Sequence, residues 1–133
     1  MVGDCTVEQL NEISHQVMGA AYAVHSELGP GLLESAYKAC LVYELNKRGL
    51  QTSVEVPVPL VYDEIKLGDV GYRIDVLVAG ELVIEIKALE SIAPVHCAQL
   101  VSYLKLSGRR LGLLINFNTV SLKDGIYRRV NGL

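Results

Sequence analysis

Acidic and basic side chains interrupt two apolar segments near the middle of the chain. Period-two alternation predicts strands over 72–78 and 82–89, joined at Ala79-Gly80. The apolar residues of both strands must face one core, and a three-residue connection containing Gly80 allows this because directly opposed residues share a face. The other face then carries Arg73, Asp75 and Leu77 beside Val83, Glu85 and Lys87.

This face could bind a divalent cation. Directly opposed Cβ atoms are about 5 Å apart, so Asp75 and Glu85 can converge on one point, with Lys87 roughly 7 Å further along its strand. Two carboxylates this close repel each other unless a cation or a proton lies between them. Hard oxygen ligands suit Mg²⁺ or Mn²⁺ better than Zn²⁺. Without the metal, we expect Lys87 to pair with the carboxylates.

The alternative is a solvated face whose charges form a ladder of salt bridges, which is common in hairpins. Two features favour the metal site. Leu77 and Val83 indicate that the face is covered, and buried carboxylates need a strong partner. On a helical wheel, Glu34 lies within about 60° of the apolar stripe formed by Tyr37, Leu41 and Leu45. We therefore expect Glu34 to point inward as a third carboxylate.

A second polar pair follows on a predicted helix. Gln99 and Tyr103 are four residues apart and share one helix face, with His96 a turn earlier. The spacing alone does not distinguish a substrate contact from a half-exposed polar face.

The helices and strands that must position these residues are predicted to follow one another in the order ααβββαβ(β), which indicates an α/β fold. The expected elements are a helix from Thr6 that ends at Gly29-Pro30-Gly31, a helix over 32–48, an edge strand over 52–62, strands over 72–78 and 82–89, a helix from Pro94 to 107–108, a buried strand over 111–117 and a short strand over 126–130. A helix between the strands 82–89 and 111–117 implies a right-handed parallel crossover.

Length and composition predict one domain over residues 1–133. Half of the 133 residues are hydrophobic and 20% are charged, and we find no repeat or linker. No 18-residue uncharged apolar stretch and no secretory signal are apparent, and three cysteines form no CxxC pair, so we expect a cytoplasmic protein without membrane contact. A net charge of −3 excludes nucleic-acid binding by bulk positive charge, although not a local site.

The same residues resemble known motifs. Asp75 and Glu85-Ile86-Lys87, spaced D-x9-E-x-K, resemble the core of the PD-(D/E)xK nuclease superfamily. Gln99-x-x-x-Tyr103 is similar to the QxxxY motif of the RecB-like branch, and Gly31-Leu-Leu-Glu34-Ser-Ala-Tyr37 resembles the signature of the small GxxExxY proteins. The similarity runs from about Val17 to Val130 and includes VHSELGPGLLESAY, AQLVSYLKLSG and LGLLINF.

The resemblance implies a restriction-endonuclease-like core, a mixed sheet of four to five strands flanked by helices. It implies that Asp75 and Glu85 bind Mg²⁺ or Mn²⁺, with Glu34 as a further carboxylate, directly or through water. Lys87 would be the motif lysine. The expected catalytic residues are therefore Glu34, Asp75, Glu85 and Lys87.

Substrate binding is expected at a separate group of residues. The resemblance implies that Gln99 and Tyr103 orient the substrate phosphate or brace the site. We expect Arg73 and Tyr37 to bind substrate as well. Local cations that could bind phosphate are Arg73, Lys105, Arg109, Arg110, Lys123, Arg128 and Arg129. If the last strand returns beside the sheet, Arg109-Arg110 and Arg128-Arg129 would flank one rim, although ordinary solvated charges fit equally well.

The leading hypothesis is a metal-dependent nuclease that hydrolyses phosphodiesters of DNA or RNA. One alternative is a catalytically weak or inactive module with the nuclease fold that binds nucleic acid or has a regulatory role. Another is a structural protein in which the charged residues form a buried ion-pair cluster without metal. A short or end-bound substrate, or a homodimer pooling two rims, fits the small basic surface best. The sequence does not distinguish a DNA from an RNA substrate, a single-stranded from a double-stranded one, or an endonuclease from an exonuclease. It also does not indicate whether the protein is active, what its oligomeric state is or to which pathway it belongs.

Overall fold

The computed structural model describes residues 5–68 and 70–133. The helices are α1 (Val7–Leu28), α2 (Glu34–Lys47) and α3 (Pro94–Ser107), and a 3₁₀ helix covers Leu122–Gly125. The strands are β1 (Thr52–Pro57), β2 (Leu60–Tyr62), β3 (Ile65–Leu67), β4 (Arg73–Val78), β5 (Leu82–Lys87), β6 (Leu111–Asn116) and β7 (Ile126–Val130). None of the helices described here has the length and apolar character needed to cross a membrane.

Five strands form the main sheet, in the order β1-β4-β5-β6-β7. The pair β5–β6 is parallel and the other neighbours are antiparallel, so the sheet is mixed. The helix α3 connects β5 to β6, which is the crossover predicted for parallel neighbours. Three helices around a five-stranded mixed sheet confirm the expected α/β architecture of a restriction-endonuclease-like fold.

The segment predicted as one edge strand over 52–62 is two strands. Pairing of β1 with β4 ends at Pro57 opposite Arg73, and neither Pro57 nor Pro59 has an N–H to donate to a longer ladder. The strand β1 does lie at the sheet edge, whereas β2 pairs with β3 in a separate hairpin that the sequence did not predict. Val58 anchors the connection, since its N–H donates to the Tyr72 carbonyl at 2.8 Å.

The sheet is covered on both faces. On one face, α1 and α2 pack over a cluster that includes Val76, Ile84 and Phe117, and on the other, α3 packs over a cluster that includes Leu77 and Val83. A Cβ added at Gly112 would lie 2.7 Å from Leu100 Cδ1, so the glycine lets α3 approach β6 closely. Leu77 and Val83 are buried under α3, as predicted. The predicted alternation does not extend through β4, however, because Ile74 packs with Leu77 and Val83 and not with Val76.

The helix α1 has the predicted N-terminal capping box. Gln9 N–H donates to Thr6 Oγ1 at 3.1 Å, and Thr6 N–H donates to Gln9 Oε1 at 2.8 Å. The helix ends at Gly29, as predicted. The helix α2 begins two residues later than expected, at Glu34, because residues 29–33 form a loop that side chains from α2 and from the segment after β6 hold in place.

Candidate active site

The centre of the site is the pair Asp75 and Glu85. In the register of β4 and β5, Val76 faces Ile84, which places Asp75 opposite Glu85 one residue further on. Backbone pairing between β4 and β5 stops before this position, and the two carboxylates accept hydrogen bonds from the backbone of the facing strand instead. Asp75 N–H donates to Glu85 Oε2 at 3.0 Å, and Ile86 N–H donates to Asp75 Oδ2 at 2.8 Å. The predicted side-by-side placement of the two carboxylates is therefore confirmed.

Both carboxylates lie where negative charge is unfavourable. Glu85 is only 4% exposed, and burial, followed by repulsion from Asp75, raises its pKa to about 8. Burial also raises the pKa of Asp75, and the hydrogen bond from Ile86 opposes that shift. Among the described residues, the second oxygen of each carboxylate has no hydrogen-bond partner. A buried and a half-buried carboxylate that repel each other have the chemistry that a hard divalent cation requires.

Lys87 lies near the pair without touching it. It is half-buried at the end of β5, and its positive charge lowers the pKa of Glu34, Asp75 and Glu85. Within residues 5–68 and 70–133, however, no carboxylate lies within 4.0 Å of its ammonium group. The expectation that Lys87 pairs directly with the carboxylates in the metal-free protein is therefore wrong.

Glu34 lies at the entrance of the site, and its side chain is exposed. The expectation that it points inward with the apolar stripe is wrong, because α2 begins at Glu34 and the buried stripe begins only at Tyr37. Partial burial nevertheless raises the pKa of Glu34, Lys87 opposes this shift, and Asp75 adds to it. Glu34 and Asp75 line one open cavity of about 380 Å³.

As they stand, the acidic groups do not form a triad. In the part of the chain that the structure describes, no three His, Cys, Asp or Glu side chains are grouped closely enough to hold a metal ion. The predicted convergence of three carboxylates is therefore present for Asp75 and Glu85 and absent for Glu34. Conformational adjustment or a bridging water would be needed to bring Glu34 to the same ion.

An ion pair that the sequence analysis missed borders this cavity. Lys38, one helical turn after Glu34, pairs with Glu55 on β1. Glu55 lies opposite Asp75 in the β1–β4 register and has a left-handed backbone, with φ of 51°. Lys38 lowers the pKa of Asp75, and Glu55 raises it. The four-residue spacing between Glu34 and Lys38 was the available signal, whereas the position of Glu55 depends on strand pairing.

Tyr37 is a structural residue. Its ring is fully buried and stacks on Phe117, with centroids 4.7 Å apart. Its hydroxyl donates to the Gly29 carbonyl at 2.6 Å and accepts from Leu32 N–H at 3.1 Å. The assignment of Tyr37 to substrate binding is corrected, because a fully buried side chain holding the loop before Glu34 has no surface left for a substrate.

Two asparagines, one at the end of β6 and one just after it, hold the segments around the site. Asn116 pairs in register with Lys87 and is buried. Its Oδ1 accepts from Leu89 N–H, and its Nδ2 donates to the Leu89 carbonyl, both at 3.0 Å. Asn118 Oδ1 accepts from Gly31 N–H at 3.1 Å. The signal for Asn116 in the sequence was a single polar residue inside the apolar run LGLLINF.

Gln99 and Tyr103 share one face of α3, as their spacing predicted. Gln99 Nε2 donates to the Tyr103 hydroxyl at 3.2 Å. Burial is the main cause that raises the pKa of Tyr103, and the negative charges of Glu85 and Asp75 add to it, while a hydrogen bond with the Arg73 backbone opposes it. The Tyr103 hydroxyl is therefore within electrostatic reach of the carboxylate pair.

The predicted return of the last strand beside the sheet is confirmed, but the four arginines near it do not form one rim. The strand β7 returns beside β6, with Arg129 opposite Gly112, which brings it near Arg109 and Arg110. Arg109 and Arg110 precede the end of β6 at which Leu111 pairs with Leu82, whereas Lys87 pairs with Asn116 at the other end. Arg128 contacts Asn11 of α1, and Arg129 lines a cavity with Pro94 and Cys97 of α3, so these two side chains lie on opposite faces of the sheet. Arg109 also donates to the Gly80 carbonyl, and Arg110 to that of Cys5. None of the four arginines lines the cavity that Glu34 and Asp75 share.

Comparison with known families gives the class of the protein. A family model for the PD-(D/E)XK nuclease superfamily matches residues 11–130. The chain therefore belongs to the PD-(D/E)XK nuclease superfamily. Nuclease activity, interaction with nucleic acid and dependence on a divalent metal are the general properties of that superfamily. Neither a curated protein nor a solved structure matches the chain significantly.

Proposed function

We propose that the protein is a Mg²⁺- or Mn²⁺-dependent nuclease whose ion is bound by Asp75 and Glu85. The observation that carries this proposal is the pair itself, in which the buried Glu85, with a pKa raised to about 8, lies beside the half-buried Asp75. Mg²⁺ in phosphoryl-transfer sites usually has one or two protein carboxylates, with waters and substrate phosphate completing its shell. Glu34 contributes through water or after moving toward the pair.

Each remaining site residue has a separate role in this proposal. A divalent cation held by Asp75 and Glu85 would supply the positive charge that polarises the scissile phosphate and lowers the pKa of the attacking water, so that hydroxide could attack the phosphorus and displace the leaving oxygen. The Lys87 ammonium places a positive charge where the transition state gathers negative charge. Gln99 and Tyr103 orient a phosphate oxygen, and Arg73 adds a local cation for the strand. Lys38 holds Glu55 away from Asp75.

We also propose the finer assignments. Gly31, Glu34 and Tyr37 support membership of the GxxExxY group, and Gln99 with Tyr103 supports the RecB-like branch. A cytoplasmic location is consistent with free thiols at all three cysteines. A short or end-bound substrate, or a homodimer, fits the small number of cations near the site.

The alternative is a module that binds nucleic acid or has a regulatory role and hydrolyses phosphodiesters slowly or not at all. The observation that favours it is the distance of Glu34 from the other two carboxylates, since no group of three is formed among the described residues.

Cleavage assays on labelled single- and double-stranded DNA and RNA, with Mg²⁺, Mn²⁺ or a chelator, test the proposal. We expect metal-dependent cleavage by the wild type, loss with Asp75→Asn, and no loss with Asp63→Asn in the exposed turn between β2 and β3. An Asp75→Asn protein that cleaves as fast as the wild type would contradict the proposed site. A wild-type protein that binds nucleic acid and cleaves none of these substrates would establish the alternative.

A further inference from the structure

A second cavity adjoins the carboxylate pair on the α3 side of the sheet. Its volume is about 430 Å³, within the range of small-molecule pockets. It is lined by the apolar side chains of Leu60, Tyr72 and Leu106 and by the polar side chains of Gln99, Ser102 and Tyr103. The hairpin β2–β3 supplies one wall through Leu60, and α3 supplies the opposite wall.

This cavity and the carboxylate pair share a boundary. Tyr72 precedes Asp75 by three residues as the chain enters β4, and its ring lies 6.3 Å from that of Tyr103, inclined by 52°. The Tyr103 hydroxyl accepts a hydrogen bond from Gln99 inside the cavity and is also within reach of the charges on Asp75 and Glu85. A ligand in the cavity would therefore be next to a phosphodiester bound at the carboxylates.

We infer that this cavity binds an unpaired nucleobase of the strand whose phosphate lies at Asp75 and Glu85. The inference rests on the proposed nuclease function. A nucleobase has flat apolar faces and polar edges, which match a partly exposed tyrosine ring with aliphatic walls and an amide and hydroxyls beside them. A base paired within a duplex is stacked on its neighbours and cannot enter such a cavity.

The charge distribution supports base contact over tracking of a duplex backbone. Binding along a duplex depends on many phosphate contacts from Lys and Arg. Arg109 and Arg110 lie at the opposite end of the strands, and β7, which carries Arg128 and Arg129, is separated from β5 by β6. Lys105 lies at the cavity, and Arg73 lies at the start of β4. With few cations nearby, affinity at this site must come from stacking and polar contacts. The substrate class is therefore a single-stranded segment or a frayed end.

Fluorescence anisotropy with a chelator present tests the inference, because binding is then measured without cleavage. The probes are a labelled oligothymidylate, the same sugar-phosphate strand without bases, an oligouridylate and a blunt duplex of equal length. We expect the strands that carry bases to bind at least tenfold more tightly than the baseless strand and the duplex. Comparison of oligothymidylate with oligouridylate identifies whether DNA or RNA is preferred.

Matched variants locate the base. Because stacking on an aromatic ring contributes about tenfold in affinity per base, we expect Tyr72→Leu to lose about that factor and Tyr72→Phe to keep the wild-type affinity. Ser102→Trp, which fills the cavity from an exposed position, should weaken binding similarly. Tyr43→Leu, at a 68% exposed tyrosine on α2, is the control.

Two results would overturn the inference. One is equal binding of the baseless strand and oligothymidylate, and the other is wild-type affinity in both Tyr72→Leu and Ser102→Trp. Either can occur while cleavage still depends on Asp75, which leaves the proposed function intact. Conversely, base-dependent binding with no metal-dependent cleavage would remove the nuclease function and keep the nucleobase site.

Discussion

Asp75 and Glu85 each bind the backbone of the facing strand. The Glu85 carboxylate accepts the Asp75 N–H, and the Asp75 carboxylate accepts the Ile86 N–H. These bonds take over where the β4–β5 ladder ends, so the backbone groups are satisfied and both carboxylates are held in place. The arrangement places two carboxyl groups beside each other before any ligand arrives, and ionisation of both is unfavourable unless a cation lies between them.

The first prediction concerns pH. Burial and Asp75 raise the pKa of Glu85 from 4.5 to about 8, so the folded protein binds a proton more tightly than the unfolded chain does. The free energy of unfolding without metal should therefore fall as the pH rises from about 4.5 to about 8. Asp75 acts in the same direction. Urea unfolding across this range measures the slope.

Glu85→Gln should flatten that slope, because the amide does not ionise, and Glu64→Gln at an exposed turn is the control. Mg²⁺ must displace the proton on Glu85, so the rise in Tm that it causes should be larger at the upper end of the range. A metal-free protein whose stability increases with pH over this interval would contradict the raised pKa.

The second prediction separates metal binding from catalysis at Lys87. Lys87 lies near the carboxylates but does not pair with them, so Lys87→Ala should keep the Mg²⁺-induced rise in Tm. Cleavage should fall by about 10²- to 10³-fold, the usual effect of removing one preorganised charge. Lys66→Ala on the exposed strand β3 is the control. Loss of the Tm response together with activity would assign Lys87 to metal binding or folding instead.

The third prediction concerns Tyr37. Its hydroxyl joins Gly29 and Leu32, so Tyr37→Phe should lower the free energy of unfolding by about 1 kcal/mol. KM for an oligonucleotide should not change, because the ring is buried away from substrate. Tyr43→Phe, at an exposed position on the same helix, should change neither quantity. An increased KM at unchanged stability would restore Tyr37 as a substrate contact.

The fourth prediction tests Asn116 as a positioning residue. Asn116→Ala removes both hydrogen bonds to Leu89, just beyond Lys87, and should destabilise the protein by about 1–3 kcal/mol. Because small displacements of a reacting group are expensive, kcat should fall by roughly tenfold to a hundredfold with KM little changed. Asn11→Ala on the surface of α1 is the control. Full kcat in a folded Asn116→Ala protein would show that the strand end needs no such support.

Much of this protein was predictable from its sequence, because the relevant information is local. Alternation along two short strands requires a shared face, and the length of their connection then places Asp75 beside Glu85. Helix ends at Thr6 and Gly29 follow from capping and backbone freedom. The buried run over 111–117 predicted a central strand, and the chain order predicted the parallel neighbour.

The tertiary structure decided what depends on contacts between distant segments. Glu34 was assigned to the core from its helical phase, but the loop contacts of Tyr37 and Asn118 start the helix at Glu34 and leave its side chain at the cavity mouth. The Lys38–Glu55 pair and the positions of Arg128 and Arg129 depend on which strands pair and in which direction. Periodicity specifies the face on which a side chain lies, whereas its distance from a site on another element follows only from packing.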